Sequence, residues 1–133
     1  MATLVDSNVL LDVLQEDDAW QDWSAAMIVQ ASERGSLVIN PIVYAEVALG
    51  YDSIEALEHA VPPDHYRREP LPWDAAFLAS RAFVAYRRRG GIRRSPLPDF
   101  YIGAHAAIAG HTLLTRDPKR YRAHFPKLRI IAP

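Results

Sequence analysis

With 133 residues, half of them hydrophobic and 23% charged, the chain has the size and composition of one globular domain over 1–133, with a core that needs no staple. The absence of cysteine excludes disulfides, thiolate zinc sites and cysteine nucleophiles and fits a reducing, cytoplasmic compartment, and no apolar run approaches the ~20 residues that cross a bilayer. The formal net charge of −1 hides a division: residues 1–66 hold twelve acids and one base, net −11, and residues 67–133 hold four acids and fourteen bases, net +10. Such asymmetry points either to a polyanion or charged protein partner, or to two differently charged faces with no partner.

The opening MATLVDSNVLLDVL has no basic leader and reaches Asp6 too soon for a signal peptide. Thr3-Leu4-Val5 reads as a short buried strand, and Ser7 is placed to N-cap a helix through Leu14. Asp17 or Asp18 caps a second helix that Gly35 ends, and Leu37-Val38-Ile39 is a second strand. Asn40-Pro41, a cap followed by proline at the first helical position, opens a helix to Gly50, and Ser53 starts another. Pro62-Pro63 breaks the chain before a weak edge strand near Tyr66–Leu71. Trp73-Asp74 leads a long helix to Arg89, stopped by Gly90-Gly91. After the loop IRRSPLP, Asp99 opens a helix that Gly110 ends. Thr112–Thr115 is a strand, Pro118–His124 a helical turn or two, and Leu128–Ile131 a last strand. Strands separated by helices predict a parallel sheet covered on both faces, with its site at the carboxyl ends of the strands.

Four acids stand in apolar company. Asp6 follows the first strand, and Asp117 follows the strand TLLT by one residue. Glu46 is the only charge in PIVYAEVALG, a helix apolar nearly all round and so expected to be buried, with Glu46 interrupting the stripe Ile42, Ala45, Leu49. Asp99 is the only acid of DFYIGAHAAIAG and lies at its start. Taken singly, Asp99 and Asp117 are read as helix caps, Asp6 as a turn residue and Glu46 as half of a salt bridge to an arginine. Taken together, converging carboxylates cannot all stay ionised unless a cation joins them, and an all-oxygen ligand set favours Mg²⁺ or Mn²⁺. The five histidines form no i, i+4 pair, which predicts no histidine metal site and a packed or hydrogen-bonded role for His105.

There is no GxSxG, no Walker A loop and no GxGxxG after a strand. The run RRRGGIRR (Arg87, Arg88, Arg89, Arg93, Arg94) directly precedes Asp99. One reading is a solvated helix end complementing the dipole. The other is a set of phosphate-binding forks. Bases that hold a polyanion beside acids that hold metals make the layout of metal-dependent phosphodiester cleavage.

With these residues in place the sequence resembles the PIN-domain ribonucleases, most closely the VapC-type toxins of bacterial toxin–antitoxin pairs. The matching motifs are LVDSN at Leu4–Asn8, IVYAEV carrying Glu46, LPDFYIGAHA carrying Asp99 and LLTRD ending at Asp117, with LRII as the closing strand. The stretch RRRGGIRRSPLPD also looks like a toxin subgroup of that family. Pro98 stands where many relatives have a small polar residue, and proline there is compatible with a helix start. The resemblance implies an α/β/α sandwich with a five-stranded parallel sheet. It implies Mg²⁺ or Mn²⁺ held by Asp6, Glu46, Asp99 and Asp117, with Ser7 and Thr115 as hydroxyl support and Asn8 within the motif. It further implies an endoribonuclease toxin acting on RNA through metal-activated water, a homodimer, and a cognate antitoxin whose C-terminal segment covers the site. Asp12 is expected to be exposed or structural. Trp20, Trp23 and Met27, at helical spacing, are read as core or as an antitoxin groove.

Two other functions compete. A regulatory module would hold an antitoxin arginine on the acids and dock RNA without cutting it. A phospho-receiver would need a lysine beside the acids, and Lys119 and Lys127 do not directly follow a strand.

Overall fold

The computed structural model describes residues 1–94 and 97–133; Ser95 and Pro96, inside the predicted loop, lie outside the described residues. Among the described residues the chain forms five strands and seven helices. In chain order these are β1 (Thr3–Val5), α1 (Ser7–Leu14), α2 (Gln21–Arg34), β2 (Leu37–Ile39), α3 (Pro41–Ala48), α4 (Ile54–Ala60) and β3 (Tyr66–Arg68), then α5 (Trp73–Arg88), α6 (Pro98–Ala109), β4 (Thr112–Leu114), α7 (Lys119–His124) and β5 (Ile130–Ile131). All strand pairs are parallel, in the order β3-β2-β1-β4-β5. Every residue of β1, β2 and β4 is buried, as strands covered on both faces must be. The outer strand β3, with Arg67 and Arg68, is the charged edge.

Crossovers of the usual right hand put α1 to α4 on one face and α5 to α7 on the other; most helix packing is within these two sets, and α3 also meets α6. The core is continuous through the sheet, from Val9, Leu10 and Val43 on one side to Ala79, Phe100 and Ile102 on the other. The chain first winds outward from β1 through β2 to β3, then returns to place β4 on the opposite side of β1. The order therefore reverses between β1 and β4, and the crevice of an open α/β sheet lies at the carboxyl ends of that strand pair.

Several local expectations shift. The first helix is capped by Asp6, whose carboxylate accepts from Ser7 N–H, so Ser7 is already helical. Asp17 organises a turn by accepting from the N–H groups of Ala19 and Trp20, and α2 begins only at Gln21. Gly35 has an extended φ of 165° and is not a left-handed cap. A Cβ there would lie 1.9 Å from the Met1 carbonyl oxygen, so a glycine is needed to let the N-terminal strand pass. Gly110, at φ +71°, is the left-handed stop of α6 as expected. The helix α3 is not buried all round. Only Val43 and Val47 are buried, and Leu49 on the Glu46 face is 89% exposed, because α3 stands at the carboxyl edge of the sheet with its outer side uncovered.

Candidate functional site

The reversal point carries the acids. Asp6 continues β1, its N–H bonded to the Leu114 carbonyl of β4 at 2.9 Å. Its side chain is 3% exposed and accepts three hydrogen bonds. Oδ1 accepts from Ser7 N–H at 2.8 Å, and Oδ2 accepts from the hydroxyls of Thr115 at 2.8 Å and Tyr121 at 2.9 Å. Burial is the largest influence on this carboxyl. The two hydroxyls oppose it, the charges of Asp99 and Glu46 reinforce it, and the pKa is pushed up to about 6.

Glu46 reaches back from α3 to α1, where the Ser7 hydroxyl donates to Oε1 at 2.8 Å. Burial raises its pKa, the Ser7 bond works against that, and Asp99 adds repulsion. Among the described residues no basic side chain pairs with Glu46, so the expected arginine bridge is not formed. Asp99 is not a cap. Pro98 occupies the first helical position, Leu97 precedes it, and among the described residues no side chain caps α6. The Asp99 carboxylate is thereby left to face the crevice. Oδ2 accepts from Arg120 Nη1 at 2.9 Å, and the Tyr121 hydroxyl lies 3.4 Å from Oδ1.

Asp117 does not cap α7 either. It is exposed on the rim and joined to the centre through its neighbours. Its N–H donates to Thr115 Oγ1 at 3.1 Å, and Asn8 Nδ2 lies 3.4 Å from both Thr115 Oγ1 and Asp117 Oδ2. Asn8 also accepts from Arg116 N–H at 3.2 Å, so it ties α1 to the segment after β4. That segment alternates: Thr115 and Asp117 turn to the crevice, while Arg116 turns away to buried Asp12 (2.9 Å) and stacks over Trp20. Asp12, also held by Ser24 at 2.7 Å, is structural and not exposed. Trp20, Trp23 and Met27 are half-buried, and the two indoles meet edge to face.

The sequence reading missed Tyr121 and Arg120. Tyr121 is 1% exposed, and burial together with the nearby acids keeps its hydroxyl protonated. Its ring and that of Phe125 lie against Gly103 of α6, where a Cβ would stand 3.0 Å and 2.5 Å from them. An aromatic residue with a polar tip, one helical turn past Asp117, was the available signal.

The arginines Arg87, Arg88, Arg89, Arg93 and Arg94 are all exposed, at the end of α5 and beyond it. Arg87 donates to the Arg93 carbonyl, folding the run back on itself. Burial, then the charges of Arg89 and Arg120, lowers the pKa of His124 at the end of α7.

A second cluster lies along α6. His105 and His111 both approach Glu69 Oε1 through Nε2, at 3.1 and 2.7 Å, and these three ligand atoms lie within 4.8 Å of one another. Sequence spacing gave no hint, because the three residues come from different elements. Hydrogen bonding assigns the tautomer: Asn40 Oδ1 caps α3 on Val43 N–H, so its Nδ2 donates to His105 Nδ1 at 3.0 Å and leaves the proton on Nε2. A nitrogen that carries a proton toward Glu69 is not a metal ligand. Arg67 satisfies the other Glu69 oxygen at 2.8 Å. Burial pushes the Glu69 carboxyl up, but the bonds from His111, Arg67 and His105 together hold it below its ordinary value, and burial keeps His105 neutral. The cluster is a closed hydrogen-bonded tie between β3 and α6.

The chemistry of the first cluster differs. Asp6 is buried close to other acids, and among the described residues it has no basic partner of its own. An all-oxygen set in which charge is costly could hold a hard divalent cation, with Asp6, Glu46 and Asp99, and Asp117 at the rim, as the available ligands.

Residues 3–126 match the family model of the PIN domain. The chain belongs to the PIN-domain family. Among solved structures it is similar in fold to VapBC2 from Rickettsia felis, determined with a promoter DNA fragment (TM-score 0.78, 17% identity, covering 100% of this chain and 99% of that one). It is similar to VapBC-1 from nontypeable Haemophilus influenzae (TM-score 0.75, 16% identity, 99% and 98%) and to FitAcB from Neisseria gonorrhoeae (TM-score 0.68, 19% identity, 97% and 96%). A comparison with curated proteins returns no match. The parallel α/β/α sandwich expected from the sequence is the PIN fold, and no helix among the described residues is long and apolar enough to cross a membrane.

Proposed function

We propose that this PIN domain is a metal-dependent endoribonuclease, the toxin of a toxin–antitoxin pair. The observation that carries the reading is Asp6: a buried carboxylate, under the charges of Glu46 and Asp99, at the strand-order reversal of an open parallel sheet. Asp6, Glu46, Asp99 and Asp117 would hold Mg²⁺ or Mn²⁺. A cation bound there would activate water and neutralise charge developing on a phosphodiester. Ser7, Asn8 and Thr115 keep the acids in place. Arg87, Arg88, Arg89, Arg93 and Arg94 bind the RNA backbone and lead it toward the pocket. The reading includes a single domain, a cytoplasmic location and a homodimer, and a cognate antitoxin, the last supported by the similarity to VapBC complexes.

Cleavage of RNA by the purified, antitoxin-free chain is expected to require added Mn²⁺ or Mg²⁺ and to stop in EDTA. Cleavage undiminished by EDTA would remove the metal from the reading. The Arg120–Asp99 pair, at 2.9 Å, favours a second reading, since it places a guanidinium on the acid cluster. On that reading the protein is a non-cleaving module whose acids receive an antitoxin arginine. RNA binding without cleavage at any Mn²⁺ concentration would decide for it.

A further inference from the structure

We infer that Tyr121 is a positioning residue that tunes which cation the acid cluster accepts, by limiting what Asp6 can offer. The inference rests on the metal-site reading above. A carboxylate has about four lone-pair positions. On Asp6, Oδ2 already accepts two hydroxyl protons, from Thr115 at 2.8 Å and Tyr121 at 2.9 Å. Neither donor has an equally good alternative. Thr115 Oγ1 is itself an acceptor for Asp117 N–H, and the Tyr121 hydroxyl is 3.4 Å from Asp99, its other possible acceptor. Oδ1 accepts from Ser7 N–H at 2.8 Å. The Ser7 hydroxyl, 3.5 Å from the same oxygen, has its single proton committed to Glu46 at 2.8 Å. One lone-pair position remains, on Oδ1.

Mg²⁺ and Mn²⁺ suit oxygen sites of regular octahedral geometry, whereas Ca²⁺ takes six to eight oxygens and readily uses both oxygens of one carboxylate. Saturating Oδ2 therefore withholds the coordination that Ca²⁺ exploits. The device is rigid, because Tyr121 is buried and its ring is seated against Gly103. Tyr121 needs no contact with the cation; it acts through Asp6.

The test is calorimetric titration of MnCl₂ and CaCl₂ into the full chain, wild type and Tyr121→Phe. Phenylalanine keeps the ring and deletes one donor. The expected result is that the wild-type preference for Mn²⁺ over Ca²⁺ narrows about tenfold in the variant, the low end for residues that orient metal ligands. Thr115→Val removes the other donor to the same oxygen and is expected to move the ratio the same way. A purely structural role would weaken both cations equally, and an unchanged ratio in both variants overturns the inference while leaving the metal site standing. If wild type binds neither cation, the metal site and the inference fall together.

Discussion

At Asp6 one side chain serves two needs that conflict. Its Oδ1 caps α1, which favours the charged form, while its burial near Glu46 and Asp99 favours the neutral form and dominates. The sign of the consequence follows from linkage. The pKa rises from 3.8 to about 6, so between those values the folded state holds a proton that the unfolded state has released. Stability falls as pH rises through that window and stays lower above it. Asp6→Asn removes the charge and keeps an oxygen for the cap. In the absence of metal the variant is expected to be more stable than wild type at pH 7.5, by roughly 2–3 kcal/mol, and no more stable below pH 4. Urea unfolding at the two pH values checks this, and a loss of stability at pH 7.5 would contradict the burial of charge at Asp6. The sequence marked this residue because an acid directly after an apolar strand is readable. It placed the cap one residue late, at Ser7, because Asp6 and Ser7 are both good caps and only their three-dimensional partners separate them: Asp6 accepts from Ser7 N–H, and the Ser7 hydroxyl goes to Glu46.

Among the elements, α7 is the one whose placement decides the site, and it was the least legible. Its six residues carry too little periodicity to fix a face, yet Arg120 and Tyr121 both reach Asp99 and Tyr121 reaches Asp6. The seat for α7 is Gly103, a small residue within the apolar helix α6. A Cβ at Gly103 would stand 2.5 Å from a Phe125 ring carbon that is packed in the core and cannot swing aside. Gly103→Ala is expected to push α7 off α6, to destabilise the fold by about 1–3 kcal/mol and to weaken Mn²⁺ binding with it. Thermal unfolding and calorimetry report the two effects, and a variant with native stability and affinity would show that α7 is free to adjust. Other elements were legible for clear reasons. Continuous apolar triplets identified β1, β2 and β4, and Pro after Asn marked the start of α3. The overestimate of α3 burial has an equally plain origin: periodicity reports an apolar face but not whether another element covers it, and Leu49 remains in solvent. The tie from Glu69 to His105 and His111 spans 36 and 42 residues, a separation no local pattern encodes.

For the whole molecule, the near-zero net charge conceals a designed juxtaposition. The fold draws Asp6 and Glu46 from the acidic half and Asp99 from the basic half into one pocket, where the three carboxylates sense one another. The arginine run stays exposed at the end of α5 and beyond it. Cations that release counterions from a polyanion set the salt dependence of its binding, by about 0.7 per phosphate contact for a single strand. Replacing Arg87, Arg88, Arg89, Arg93 and Arg94 by glutamine is therefore expected to weaken RNA binding and to flatten the slope of log K against log salt by up to about 3.5. An unchanged slope would place the RNA path on another face.

The central claim is that the acids around Asp6 hold a cation that drives RNA cleavage. The most direct measurement incubates purified, antitoxin-free wild type and Asp6→Asn with RNA and Mn²⁺, after circular dichroism has established that the variant is folded. Wild type is expected to yield fragments with 5′-phosphate and 3′-hydroxyl ends and the variant none; cleavage by folded Asp6→Asn at the wild-type rate would contradict it.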